Sequence, residues 1–270
     1  MMDNRSIGVF DSGLGGLTAV KQILKELPDE NIVYFGDTGR VPYGTRSEET
    51  IIKYSKGDIN FLLSKDVKVI VIACGTASSV ALPRIKGEYT LPIIGVVEAA
   101  ASAAVKATKN GKIGIIGTPG TIKSGSYEAV IKEIMPECET FKRACPLFVP
   151  LVENGHFETE VAHLVTKEYL EEIKEKGVDT LILGCTHYPL LKKTIGEFMG
   201  EDVALIDAGA EVAKTLKVAF DKLKMGADRK EKGQAMFYVS DNIDGFESLG
   251  GLFLEEKIDG RVEKIDIERY

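Results

Sequence analysis

The chain has 270 residues, 44% of them hydrophobic and 28% charged, with a net charge of −7 and a pI near 5.2. That length suits two α/β domains of ordinary size, and the acidity argues against a nucleic-acid or anionic-membrane partner while still permitting an anionic small molecule in a local pocket. No apolar run reaches the roughly 18 residues of a membrane span, residues 1–6 lack a signal-peptide core, and four cysteines without paired spacing point to reduced cytosolic thiols.

Strands and helices alternate in the manner of βαβ units. A first strand is predicted at 6–10. It runs into Asp11-Ser12-Gly13-Leu14-Gly15-Gly16, which opens a helix near Gly15. Glycines there turn backbone amides toward a ligand, and a helix N-terminus favours an anion. A dinucleotide site needs G-x-G-x-x-G after the strand, and the spacing here differs, so a carboxylate suits the loop better. The next strand, 31–35, leads into a long loop, Gly36 to Gly44, containing Pro42 and Tyr43. It shares a sheet end with the first loop, and loops there are where sites are built.

A helix near Ser47 precedes the strand 67–73, which ends at Cys74-Gly75-Thr76; a helix from Thr76 and a strand at 92–97 follow. Helices near Ala99 and Thr121 alternate with strands at 112–117 and 141–144. A helix near Phe157 then precedes the strand 180–183, which ends at Gly184-Cys185-Thr186-His187. Helices near Tyr188 and over 210–224 flank a strand at 203–206. Strands near Met236 and Val262 are expected to return to the first domain, and 224–232 reads as a solvated loop.

The chain repeats itself. Residues 7–13 are echoed by 113–119, an offset of 113 − 7 = 106; the cysteines are offset by 185 − 74 = 111. Two strand-ending acids, Glu98 and Asp207, are offset by 207 − 98 = 109. A period of this size is too long for a solenoid. The expected architecture is α/β, with two pseudo-symmetric domains, each a mostly parallel sheet flanked by helices. Residues 1–97 plus 208–270 form the first and 98–207 the second, with the active site in the cleft between them.

Ligands of open α/β sheets bind beyond the carboxyl ends of the strands, so each half presents one thiol to substrate. Two thiols facing one site can act as base and acid and exchange roles. Racemisation needs that arrangement, because a proton leaves one face of the α-carbon and another arrives on the opposite face. Both cysteines are expected at helix starts, which lowers a thiol pKa modestly from about 8.5. The hydroxyls of Ser12, Thr76 and Thr186 and the loop amides are the donors available to a developing carbanion. Cys138 and Cys145 have no matched motif and are assigned to structure, as His156 and His163 are to surface or packing. No C-x₂-C or histidine cluster suggests zinc, and no lysine sits in a Schiff-base motif, so neither metal nor pyridoxal phosphate is expected.

Asp-Ser-Gly-Leu-Gly-Gly at 11–16, Pro-Tyr-Gly at 42–44, Ala-Cys-x-Thr at 73–76, Leu-Val-Glu-x-Gly at 151–155 and Gly-Cys-Thr-His-Tyr-Pro at 184–189 together resemble glutamate racemase, a cofactor-independent branch of the aspartate/glutamate racemase superfamily. The resemblance covers residues 5 to about 255. It implies interconversion of L- and D-glutamate for peptidoglycan synthesis by a cytoplasmic, usually dimeric enzyme. It also implies Asp11 as assistant to Cys74, His187 with Glu153 as assistants to Cys185, and substrate contacts from Ser12, Pro42, Tyr43, Gly44, position 75, Thr76, Thr186 and His187. Aspartate racemase or another two-cysteine isomerase is the alternative, and a binding-only two-lobed homologue is a third reading.

One position departs from the family pattern: Gly75 stands where asparagine is usual. Both residues tolerate positive φ, so the turn is expected to survive. The lost amide is expected to cost a substrate contact of about 1.5–3 kcal/mol, recoverable by Gly75→Asn with little change in stability.

Overall fold

The computed structural model describes residues 3–229, 231–258 and 260–270. Met1 and Met2 of the segment judged too polar for a signal peptide, and Lys230 of the expected solvated loop, lie outside them.

The first half runs β1 (Ile7–Asp11), α1 (Leu17–Glu26), β2 (Ile32–Gly36), α2 (Glu48–Ser64), β3 (Val69–Ile72), α3 (Gly75–Val80), α4 (Leu82–Ile85), β4 (Ile93–Gly95) and α5 (Val96–Ala107). The second runs β5 (Lys112–Gly117), α6 (Pro119–Ser124), α7 (Ser126–Ile134), β6 (Glu139–Ala144), α8 (Phe148–Glu153), α9 (Glu160–Glu175), β7 (Thr180–Leu183), α10 (Lys192–Met199) and β8 (Ala204–Asp207). Then follow α11 (Ala208–Leu223), β9 (Ala235–Val239), α12 (Ile243–Leu254) and β10 (Val262–Lys264).

All strand pairs described are parallel. One sheet is ordered β10-β9-β2-β1-β3-β4 and the other β6-β5-β7-β8. The core of the first, 2-1-3-4, is thus repeated by the second. Central strands such as β1, β3 and β7 are buried along their whole length, as apolar runs covered on both faces should be. The edge strand β6 is half exposed and reads Glu-Thr-Phe-Lys-Arg-Ala. Alanines of α5 (Ala99, Ala100, Ala101, Ala104) belong to one continuous core that joins a face of the first sheet to the second. Their small side chains let α5 pack closely on α7 and α11.

Register fixes the repeat more sharply than sequence offsets do. Ile72 pairs with Gly95, and Leu183 pairs with Asp207. Since 72 + 111 = 183, the partner of Asp207 in the first half is Gly95, not Glu98. Glu98 lies exposed in the first turn of α5, 3.6 Å from Lys86, so the expected strand-ending acid there is a helix surface residue. Asp207 does end its strand, and its Oδ1 caps α11 by accepting the N–H groups of Gly209 and Ala210. Helices α7, α8 and α12 were not foreseen; α7 and α8 are short, and each of the three is interrupted by glycine or proline or bordered by turn residues, which masks its period.

Candidate active site

In a 2-1-3-4 sheet the chain reverses direction between the first and third strands, and the crevice for ligand opens there. In the first sheet that point lies beyond β1 and β3, which deliver Ser12 and Cys74. In the second it lies beyond β5 and β7, which deliver Thr118 and Cys185. The two crevices face each other and share a cavity of about 360 Å³.

The cavity is lined by Ser12, Pro42, Tyr43, Gly44, Cys74, Gly75 and Thr76 from the first half, and by Glu153, Cys185, Thr186 and His187 from the second. Asp11 is not among the lining residues; it is fully buried beneath them. Its Oδ2 accepts the Gly13 N–H at 3.0 Å, and its Oδ1 accepts the Thr186 hydroxyl at 3.3 Å across the cleft. The direct partner of Cys74 is instead the Ser12 hydroxyl, at 3.6 Å.

Cys74 caps α3, its sulfur accepting the Ala77 N–H at 3.5 Å. That contact alone lowers a thiol pKa. Burial nevertheless dominates, Asp11 adds negative charge nearby, and the thiol is pushed up to about 12. The expected modest depression is therefore reversed at Cys74. Cys185 precedes a 3-10 turn, Tyr188–Leu191, and α10 begins only at Lys192, so its expected helix start is also displaced. Burial raises the Asp11 carboxyl as well.

His187 lies 3.9 Å from the Cys185 sulfur through Nδ1 and 3.0 Å from Glu153 Oε1 through Nε2. Burial alone would lower its pKa. Hydrogen bonds to Cys185 and Glu153, with the negative charge of Cys185 and Asp11, outweigh burial and hold it up at about 10. A histidine raised in the fold contributes stability that is complete below its unfolded value of 6.5 and is lost as pH rises through about 10. Wild type should therefore melt above Glu153→Gln at pH 6, and the gap should close toward pH 10. Glu153 is 40% exposed, so the gap should correspond to about 1 kcal/mol or less. Thermal melts across that range check it.

Some expected contacts have another character. The Tyr43 hydroxyl is turned into a buried cluster, bonding Asp37 and Asp58, so its ring and backbone form the wall. Gly15 does not line the cavity: a Cβ there would fall 2.4 Å from Thr186 Oγ1 and 2.5 Å from the His187 ring. Its glycine allows the second half to approach, rather than turning an amide to ligand.

Gly75 is corrected too. It is not among the glycines with positive φ. A Cβ on it would meet the Gly184 carbonyl oxygen at 2.2 Å. The glycine lets the two cysteine-bearing turns touch backbone to backbone, so any side chain added there must first shift them.

Sequence reading missed Thr118, Thr121 and Cys145. Thr118 and Cys145 line the cavity. The hydroxyls of Thr76 and Thr118 are 2.9 Å apart, joining the halves, with Thr121 3.1 Å from Thr118. The repeat carried the signal for Thr118, because 12 + 106 = 118 makes it the counterpart of Ser12. No comparable signal marked Cys145, which was assigned to structure but lies on the cavity wall. All four cysteines are free, His156 and His163 are exposed, and the described residues hold no cluster of three or more metal-ligating side chains.

The Asp/Glu/hydantoin racemase family model matches residues 7–216. A glutamate racemase of Geobacter metallireducens is 47% identical over 264 residues, covering 98% of this chain and 97% of the relative. A glutamate racemase isoform of Bacillus anthracis superposes with a TM-score of 0.94 at 37% identity, covering 98% of each chain. The Francisella tularensis glutamate racemase, solved with D-glutamate, gives 0.92 at 38% identity over the whole of both chains. This chain belongs to the Asp/Glu/hydantoin racemase family.

Proposed function

We propose that this amino-acid racemase interconverts L- and D-glutamate by moving a proton at the α-carbon between Cys74 and Cys185. The observation that carries this reading is one thiol from each of two matching half-sheets, both on a single cavity. Substrate lying between the thiols presents opposite faces of its α-carbon to them, so neither base has to swing around it. One sulfur removes the proton as thiolate while the other delivers a proton as thiol, and the reverse direction exchanges them. Before proton transfer Cys74 is the protonated partner, because burial and Asp11 oppose its charge. A protonated His187 donates through Nδ1 to Cys185 and through Nε2 to Glu153, balancing charge on that side. Asp11 acts through Thr186 and through its field on Cys74.

The Ser12, Thr76, Thr118 and Thr186 hydroxyls and the amides of the 43–45 turn hold the two carboxylates. We take residues 1–97 with 208–270 as one lobe and 98–207 as the other, meeting at the cavity. D-glutamate for peptidoglycan, a cytoplasmic location and a homodimer complete the reading, and neither metal nor pyridoxal phosphate has a step to perform. Dialysis against EDTA should leave turnover intact and purified protein should lack an aldimine band; loss of turnover on dialysis contradicts this. L-glutamate should lose optical rotation in the presence of enzyme while L-aspartate does not. Turnover of aspartate in its place would favour the alternative racemase, and loss of neither would favour a binding-only protein.

A further inference from the structure

The loop that forms the cavity wall at Tyr43–Thr45 is anchored from behind. Arg40 and Asp37 of the same loop meet Tyr43 and, from α2, Asp58. Asp37 and Asp58 are both fully buried, and Arg40 is 12% exposed. Arg40 Nε donates to Asp37 Oδ2 at 2.6 Å and its Nη2 donates to Asp58 Oδ1 at 2.8 Å. The Arg40 guanidinium also lies 4.3 Å over the Tyr54 ring. Glu268 reaches the cluster from its rim, 3.4 Å from Arg40 and largely exposed.

Counting protons settles the state of this cluster. The Tyr43 oxygen is within hydrogen-bond distance of both Asp37 Oδ2 and Asp58 Oδ2, the latter at 2.9 Å. A phenol carries one proton, and an ionised carboxylate carries none. Two contacts need two protons, so one carboxyl supplies the second. Asp37 already accepts from Arg40 on Oδ2 and from the Ser240 hydroxyl on Oδ1 at 2.8 Å. Ser240 is free to donate, because its oxygen accepts the Gly39 N–H at 2.8 Å. With Tyr43, Asp37 has three donors aimed at it, the environment of an anion. Among the described residues, Asp58 receives a proton donor other than Tyr43 from Arg40 alone. Charge balance agrees: Arg40 against ionised Asp37 is neutral, whereas two buried carboxylates on one guanidinium leave an uncompensated charge.

We propose that Asp58 is held as an un-ionised acid whose proton bonds the Tyr43 oxygen, and that this bond positions the Tyr43–Thr45 wall for substrate. Tyr43 in turn donates to Asp37, and Asp37 is tied to Arg40 and Ser240, so the wall hangs from one ordered chain. The wall carries function in two ways: it lines the cavity, and Gly44 abuts Thr118, where a Cβ would fall 2.7 Å from the Thr118 Cβ. Burial and the neighbouring Asp37 push the Asp58 carboxyl well up, in keeping with the proton count. Asp58 is thus a positioning residue, and its link to catalysis rests on the glutamate racemase reading.

Asp58→Asn is the discriminating variant. Its amide donates to the Tyr43 oxygen as the acid does, while its carbonyl accepts from Arg40. It should keep KM and kcat within about twofold of wild type, less than the loss of one neutral hydrogen bond. Asp58→Ala and Tyr43→Phe should raise KM for glutamate about 2- to 10-fold with a smaller change in kcat. Asp37→Asn should be the more damaging amide, because its N–H₂ confronts a donor. Infrared difference spectra of wild type against Asp58→Asn, recorded without substrate, should show the carbonyl stretch of a protonated carboxylic acid in wild type alone. Absence of that band, or an Asp58→Asn as impaired as Asp58→Ala, would overturn the proposal. The spectrum involves no substrate, so its failure is separable from failure of the glutamate assignment.

Discussion

Cys74→Ala and Cys185→Ala should each lower racemisation of L- and D-glutamate by at least about 10²-fold, the contribution of one positioned acid or base. Each variant keeps one thiol on its own face of the substrate, so half of the chemistry survives. In deuterated water, wild type should place α-deuterium in the product while recovered substrate stays protiated at first. Each single-cysteine variant should still exchange the α-proton of one enantiomer into solvent without inverting it, and the two variants should serve opposite enantiomers. Proton NMR of the α-hydrogen during the first few per cent of turnover reads both outcomes. Equal labelling of both enantiomers from the start would point to a single mobile base. Full retention of activity in either variant would remove that sulfur from the reaction.

The difference between the two thiols adds a pH dependence. In the proposed mechanism Cys74, pushed up to about 12 by burial and Asp11, is the acid over the neutral range, and becoming a base requires the approaching substrate to alter its surroundings. The protonated form of His187, held up to about 10, supports the opposite side up to the same range. Activity should therefore persist at mildly alkaline pH and fall as His187 loses its proton. Glu153→Gln should move that alkaline limb to lower pH, since one of the bonds sustaining the imidazolium is weakened.

The fold was legible because its strands are apolar runs buried on both faces, and because the second half repeats the order of the first. Val69–Ile72 and Thr180–Leu183 announce themselves by composition alone, and the thiols at their ends follow. Less legible was whatever depends on contact between the halves. Gly15 and Gly75 look like flexible turn residues in sequence, yet each is glycine because backbone or side chain of the other half occupies the Cβ position. Asp11 looks like a cavity residue, yet it is fully buried outside the lining and accepts the Thr186 hydroxyl. The Cys74 pKa failed for a related reason. A helix N-terminus is visible in sequence, whereas burial and the Asp11 charge that outweigh it are properties of the assembled cleft.

Gly75→Asn shows the same point in its sharpest form, with the expected sign reversed by the structure. Sequence alone favours a gain in affinity from restoring an amide. The Gly184 carbonyl oxygen, 2.2 Å from where the Cβ would sit, makes the first added atom a wedge between the two cysteine turns. Neither partner is the far end of a flexible side chain; both are backbone, so accommodation means moving one lobe's turn against the other. Overpacking of this kind costs about 1–3 kcal/mol. If that cost falls on the closed, substrate-holding form, affinity for D-glutamate drops about 5- to 150-fold. Gly75→Ala isolates the effect, because it adds the wedge without the amide. Calorimetric titration should rank wild type above both variants, with Asn no weaker than Ala to the extent that its amide reaches substrate. Whatever part of the strain the free protein already carries should appear instead as a lower melting temperature of the unliganded variants, and the loss of affinity is smaller by that part. Tighter binding by Gly75→Asn than by wild type would mean that the turns separate freely, and that their contact through Gly75 does not set the width of the cleft.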